Sequence, residues 1–137
     1  MREIKFRGKR LDNGEWVYGY AAKFAHDSVP VILEDTENGI TPRKIIPETV
    51  CQFTGLHDKN GREIYEGDIV KWILTMPEVG VNGGYEEYET EEIGEIKWDA
   101  GALQLGDYCA AGFAYESEDY ADIIGNIHDN PELLESL

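Results

Sequence analysis

The chain has 137 residues and a formal net charge of −16, from 12 Lys and Arg against 28 Asp and Glu. One domain of that length buries roughly two-thirds of its unfolded surface without help from disulfides or metals. The charge disfavours whole-protein binding to nucleic acid, which needs the opposite sign to release counterions. It is also unevenly spread: residues 1–71 carry 11 Lys and Arg against 12 Asp and Glu, whereas residues 72–137 carry only Lys97 against 16 acids.

The amino terminus is basic, with Arg2, Lys5, Arg7, Lys9 and Arg10, but charged and glycine residues continue where a signal peptide needs an apolar run. The longest apolar stretch, Val29 to Leu33, includes Pro30 and is far short of the roughly 20 residues that span a bilayer. A cytoplasmic protein is expected. Cys51 and Cys109 lie far apart without metal-ligand spacing, which suits reduced, buried side chains.

Short runs rich in β-branched and aromatic residues predict strands over Glu3 to Phe6, Trp16 to Phe24, Val29 to Leu33, Val50 to Thr54, Arg62 to Tyr65, Asp68 to Leu74, Ile93 to Trp98 and Asp122 to Ile127. Asn-Gly pairs at Asn13-Gly14, Asn38-Gly39, Asn60-Gly61 and Asn82-Gly83 predict tight hairpin turns, since both residue types tolerate positive φ. In the second strand Trp16, Tyr18 and Tyr20 share one face and Val17 and Gly19 the other, and the aromatic face is expected to be buried. Residues 75–92, with Pro77, three glycines and six glutamates, predict a mobile acidic loop or a long protruding hairpin. The one helical signal is Asn130 to Glu135, with Asn130 as cap and Pro131 at the first helical position.

No arrangement of residues predicts chemistry. Placing Asn60-Gly61 in a calcium loop puts Leu56 and Gly67 where carboxylates are needed, so Asp58 is read instead as capping the amides of a turn. Glu63, Glu66 and Asp68 lack a nearby nucleophile or orienting histidine. His26, His57 and His128 each precede an aspartate, but neighbours on a strand face opposite ways. Trp16, Trp72 and Trp98 fall inside predicted strands and are read as core. No catalytic residue, metal or cofactor is expected.

Three stretches resemble one family. They are Arg2 to Arg7; Gln52-Phe53-Thr54-Gly55-Leu56 running on through Asp58-Lys59-Asn60-Gly61 to Ile64-Tyr65-Glu66-Gly67-Asp68-Ile69-Val70; and Ile124-Gly125-Asn126-Ile127 to Asn130-Pro131-Glu132-Leu133-Leu134. Together they are similar to the YopX family of bacteriophage and prophage proteins. The resemblance implies one mainly β, small antiparallel barrel-like domain over residues 1–137, in a bacterial cytoplasm. The runs Gly67 to Val70, Gly94 to Trp98 and Ile123 to Ile127 resemble an SH3-like ladder in the second half, before the short carboxy-terminal helical turn.

The expected function is a non-catalytic interaction protein. Tyr85, Glu86, Glu87, Tyr88, Glu89, Glu91 and Glu92 would contact an unidentified host or phage protein through an acidic surface, with nucleic-acid mimicry as one form. The alternative is a small-barrel nucleic-acid binder using Arg2, Lys5, Arg7, Lys9 and Arg10. Homo-oligomerisation through edge strands stays open.

Overall fold

The structure, a computed structural model, describes residues 5–22, 29–80, 83–99, 102–105, 108–109 and 120–135. It is mainly β. The strands are β1 (Phe6–Lys9), β2 (Trp16–Ala22), β3 (Val31–Thr36), β4 (Gly39–Lys44), β5 (Cys51–His57), β6 (Glu63–Tyr65), β7 (Asp68–Val79), β8 (Tyr85–Asp99), β9 (Ala102–Leu105), β10 (Tyr108–Cys109) and β11 (Ala121–Asn126). A 3-10 turn spans Pro47–Thr49, and a single-turn helix α1 spans Glu132–Glu135. The strands form two antiparallel sheets, ordered β4-β3-β2-β1-β5-β6 and β10-β9-β8-β7-β11. The pairings among the described residues leave both sheets open, so the barrel expected from the resemblance is not among them. No helix among the described residues is long and apolar enough to cross a membrane.

The chain divides into two compact units, Met1–Gly55 with Glu63–Glu66, and Leu56–Arg62 with Gly67–Leu137. In the first unit, the turns at Asn13-Gly14 and Asn38-Gly39 join β1 to β2 and β3 to β4, and both glycines take positive φ, 73° and 98°. Strand β4 is not among the strands predicted from the sequence, and it contains Pro42. It lies at the sheet's edge, where a missing backbone N–H is tolerated and discourages pairing with another chain.

One core of this unit joins Val17, Ile32 and Ile45, with Phe6 and Val50 packed against it. The sequence reading of β2 is therefore corrected: Val17 is buried, while Tyr18 and Tyr20 are 45% and 62% exposed. The reason lies across the strands. Gly8, opposite Val17, leaves room for Ile45, whose Cγ2 would sit 2.5 Å from a Cβ at position 8. A close-packed aliphatic pocket of that kind takes Val17 and not a row of rings. Tyr65, Phe53 and Cys51 form a second cluster, which packs on the aromatic side of the sheet.

In the second unit β7 and β8 pair from Ile69↔Glu95 to Val79↔Tyr85. Among the described residues β11 flanks β7 along Asp68–Trp72 alone, and β9 flanks β8 along Ile96–Asp99 alone. Beyond those limits residues 73–79 and 85–91 continue as a two-stranded ribbon, seven residues long on each strand. Ile69, Val70, Trp72, Ile96 and Ala121 are buried where the sheet is wider.

The closing segment has a steric rationale. A Cβ at Gly125 would lie 2.6 Å from Asn130 Oδ1 and 2.9 Å from Leu133 Cδ1. Asn130 Oδ1 accepts the N–H of Asn126, while Asn126 Oδ1 accepts the N–H groups of His128 and Asp129. The side chain predicted to cap α1 thus fastens the turn behind it. Gly125→Ala is expected to cost about 1–3 kcal/mol by overpacking, read as a lower denaturant midpoint; an unchanged midpoint would show that the turn yields freely.

Candidate functional site

The carboxylates singled out in the sequence lie on the ribbon, save Glu92, which pairs with Trp72 where the sheet is wider. Glu86, Glu87, Glu89 and Glu91 are exposed and Glu92 is half-buried. Glu87, Glu89 and Glu91 share one face, since alternate strand residues point the same way. The side chains of Tyr85 and Tyr88 lie outside the described residues; their backbones pair with Val79 and Met76. Among the described residues the ribbon's one ion pair is Lys71 Nζ to Glu91 at 3.3 Å.

The amino-terminal bases are drawn inward. Lys5 Nζ meets both oxygens of Glu63 at 3.0 and 3.1 Å, and Arg10 grips Asp12 through two bonds of 3.0 and 2.7 Å. Arg7 is buried, its Cζ 4.7 Å from the centre of the Trp16 ring and 4.9 Å from that of Tyr65; Lys9 Nζ lies 5.5 Å from Trp16. Such stacking favours a cation over a ring face. Arg2 lies outside the described residues.

The Asp58 turn, in the second unit, is a fastening. The buried Asp58 carboxylate accepts the backbone N–H of Asn60 and of Arg62 at 2.9 Å, that of Ile123 at 3.2 Å, and Arg62 Nε at 3.0 Å. Arg62 Nη2 also donates to Asp122 and to the Ile123 carbonyl, and Lys59 N–H to the Ala121 carbonyl. Burial raises the Asp58 pKa, but the three amides and the Arg62 charge outweigh it and hold the carboxyl below its ordinary value. This donor set satisfies the carboxylate within the fold.

The remaining candidates do not converge. Glu63 is held by Lys5, Glu66 is raised by burial, and Asp68 is buried at the start of β7. His57 and His128 are half-buried, and His26 lies outside the described residues. Among the described residues no three His, Cys, Asp or Glu side chains gather to hold a metal.

Sequence reasoning missed a face of the first sheet that is exposed at Tyr18, Tyr20, Pro42 and Lys44 and buried at Arg7 and Val31. Cross-strand pairing sets Arg7 opposite Tyr18, Lys9 opposite Trp16, Tyr20 opposite Leu33, Leu33 opposite Pro42, and Val31 opposite Lys44. Directly opposed residues share a face. The signal lies in the alternation of β2, which puts Trp16, Tyr18 and Tyr20 on one side and Val17 on the other.

No curated protein matches the chain. A crystal structure of protein EF1440 from Enterococcus faecalis is similar, with a TM-score of 0.58 and 24% identity over 98% of this chain and 99% of that one. That likeness speaks to the fold alone. The family model described as YopX protein matches residues 5–135. Spanning nearly the whole sequence, that match places the chain in the YopX family.

Proposed function

We propose that the protein is a non-catalytic binding protein, of phage or prophage origin and working in a bacterial cytoplasm, whose acidic ribbon engages a basic face on another protein. The observation that carries this reading is the ribbon itself. Seven paired levels at about 3.4 Å project roughly 24 Å of two-stranded backbone beyond the flanking strands, bearing exposed Glu86, Glu87, Glu89 and Glu91. The ribbon's five glutamates, Glu78, Glu86, Glu87, Glu89 and Glu91, give one charge per about 5 Å of its length, against one per about 1.7 Å in duplex DNA. A basic protein patch suits that density better than a groove built for a duplex. We read the β7-β8-β9 meander with β11 beside β7 as an SH3-like element that anchors the ribbon.

The test is capture of partner proteins from bacterial lysate by the wild type and by an E86Q/E87Q/E89Q/E91Q variant. Wild-type capture should weaken as salt rises above about 0.1 M, where the Debye length falls below about 10 Å, and the variant should lose those proteins at low salt. Identical capture by both would sink the proposal.

A further inference from the structure

We infer that the exposed part of the aromatic face of the first sheet, at Tyr18, Tyr20, Pro42 and Lys44, is a binding site for single-stranded nucleic acid. Trp16, Tyr18 and Tyr20 follow one another on the same side of β2 at a repeat of about 6.8 Å, two strand residues. Tyr18 and Tyr20 are 45% and 62% exposed, on a sheet whose opposite face holds the Val17, Ile32 and Ile45 core. Leu33 and Pro42 extend the apolar surface across β3 and β4. A sheet that presents aromatic rings to water is a platform on which unpaired bases stack, as each base offers a π face whatever its identity.

The charges on this face complete the argument. Lys5, Arg7, Lys9 and Lys44 share it with only Asp35 and Glu63 among the acids that register and contacts place there. It is a cationic exception in a chain of net charge −16. Arg7 is buried between the Trp16 and Tyr65 rings, so the positive charge that a sugar-phosphate backbone could reach beside the row of rings is that of Lys9, half-buried over Trp16, and of the exposed Lys44. At its β4 end the face opens on a cleft of about 330 Å³ lined by Arg10, Leu11, Asp12, Pro42, Arg43 and Lys44. Within the cleft Arg10 is bonded to Asp12 and Arg43 to Glu34, and the exposed Lys44 is the cation placed to meet a phosphate. A duplex hides its base faces and does not fit such a platform.

The test is fluorescence anisotropy of labelled oligo(dT) and oligo(U) of about 12 nucleotides, within the range of single-strand site sizes. At about 50 mM salt both should bind in the micromolar range, and affinity should fall severalfold or more by about 200 mM. A Y18A/Y20A variant should bind at least about tenfold more weakly. Y20A alone, at the most exposed of these positions, should show a part of that loss with an unchanged thermal melt. K9Q/K44Q should lower the salt slope by between about one and two. The ribbon variant E86Q/E87Q/E89Q/E91Q should bind the oligonucleotides as well as the wild type or better, so this site and the ribbon stand or fall separately. No binding at about 50 mM salt, undiminished binding by Y18A/Y20A, or equal competition from an oligoglutamate peptide would each overturn the inference.

Discussion

Replacing Asp58 with alanine is expected to be among the most damaging single changes in the second unit, costing about 3 kcal/mol or more and lowering the thermal midpoint by roughly 10 °C. The carboxylate is buried and receives three backbone N–H groups and the Arg62 guanidinium, and the alanine variant leaves those donors without it. Arg62 is half-exposed, so water recovers part of the loss on its side, whereas the Asn60, Arg62 and Ile123 amides have no substitute from Asp58's position. Asp58→Asn keeps one acceptor and should fall between the two. The acid profile provides a second readout. A carboxyl whose folded pKa is lowered contributes stability that is present above its unfolded value near 3.9 and is lost as pH falls through the folded value. The stability difference between wild type and Asp58→Asn should therefore shrink below about pH 4; a difference that persists undiminished at lower pH would remove Asp58 ionisation as its source.

Tyr65→Ala should have a comparable effect on the first unit, about 3–5 kcal/mol, in the range for deleting a buried aromatic side chain. The ring is 1% exposed, with the Phe53 ring 5.4 Å and the Tyr18 ring 5.7 Å away and Arg7 over its face. Removing it opens a cavity and withdraws support from the aromatic face. Tyr65→Phe retains the ring and loses a hydroxyl 3.3 Å from Glu63, a change expected to cost less than about 1 kcal/mol at neutral pH. Burial first, then the neighbouring Glu63 charge and hydrogen bond, push the Tyr65 hydroxyl well above its ordinary pKa. With the folded value raised, the neutral phenol contributes stability that is full below the unfolded value near 10 and is lost as pH rises beyond it. Denaturant titrations above pH 10 should show the wild type weakening faster than Tyr65→Phe. Parallel decline of the two would exclude Tyr65 as a source of alkaline sensitivity.

Much of the fold is legible in short-range chemistry. Gly14, Gly39, Gly61 and Gly83 all take positive φ, as their Asn-Gly pairs demand. Asp58 caps the amides of Asn60 and Arg62 because its side chain reaches its own turn. Element ends were less legible. Strand β8 begins at Tyr85 and not at Ile93, because eleven cross-strand pairs with β7 order a glutamate-rich run whose own propensity for a strand is poor. The candidate sites divide in the same way. The acidic stretch stands out by composition, while its extension as a ribbon depends on where β9 and β11 stop.

Charge asymmetry, turn positions and YopX membership follow from the order of residues, because each is carried by near neighbours or by the signature as a whole. The side of β2 that meets the core does not. Alternation separates Trp16, Tyr18 and Tyr20 from Val17, but both sets are apolar enough to be buried. The choice falls to Gly8, Ile32 and Ile45, brought together by strand pairing, which leave a space that Val17 fills and turn Tyr18 and Tyr20 toward solvent.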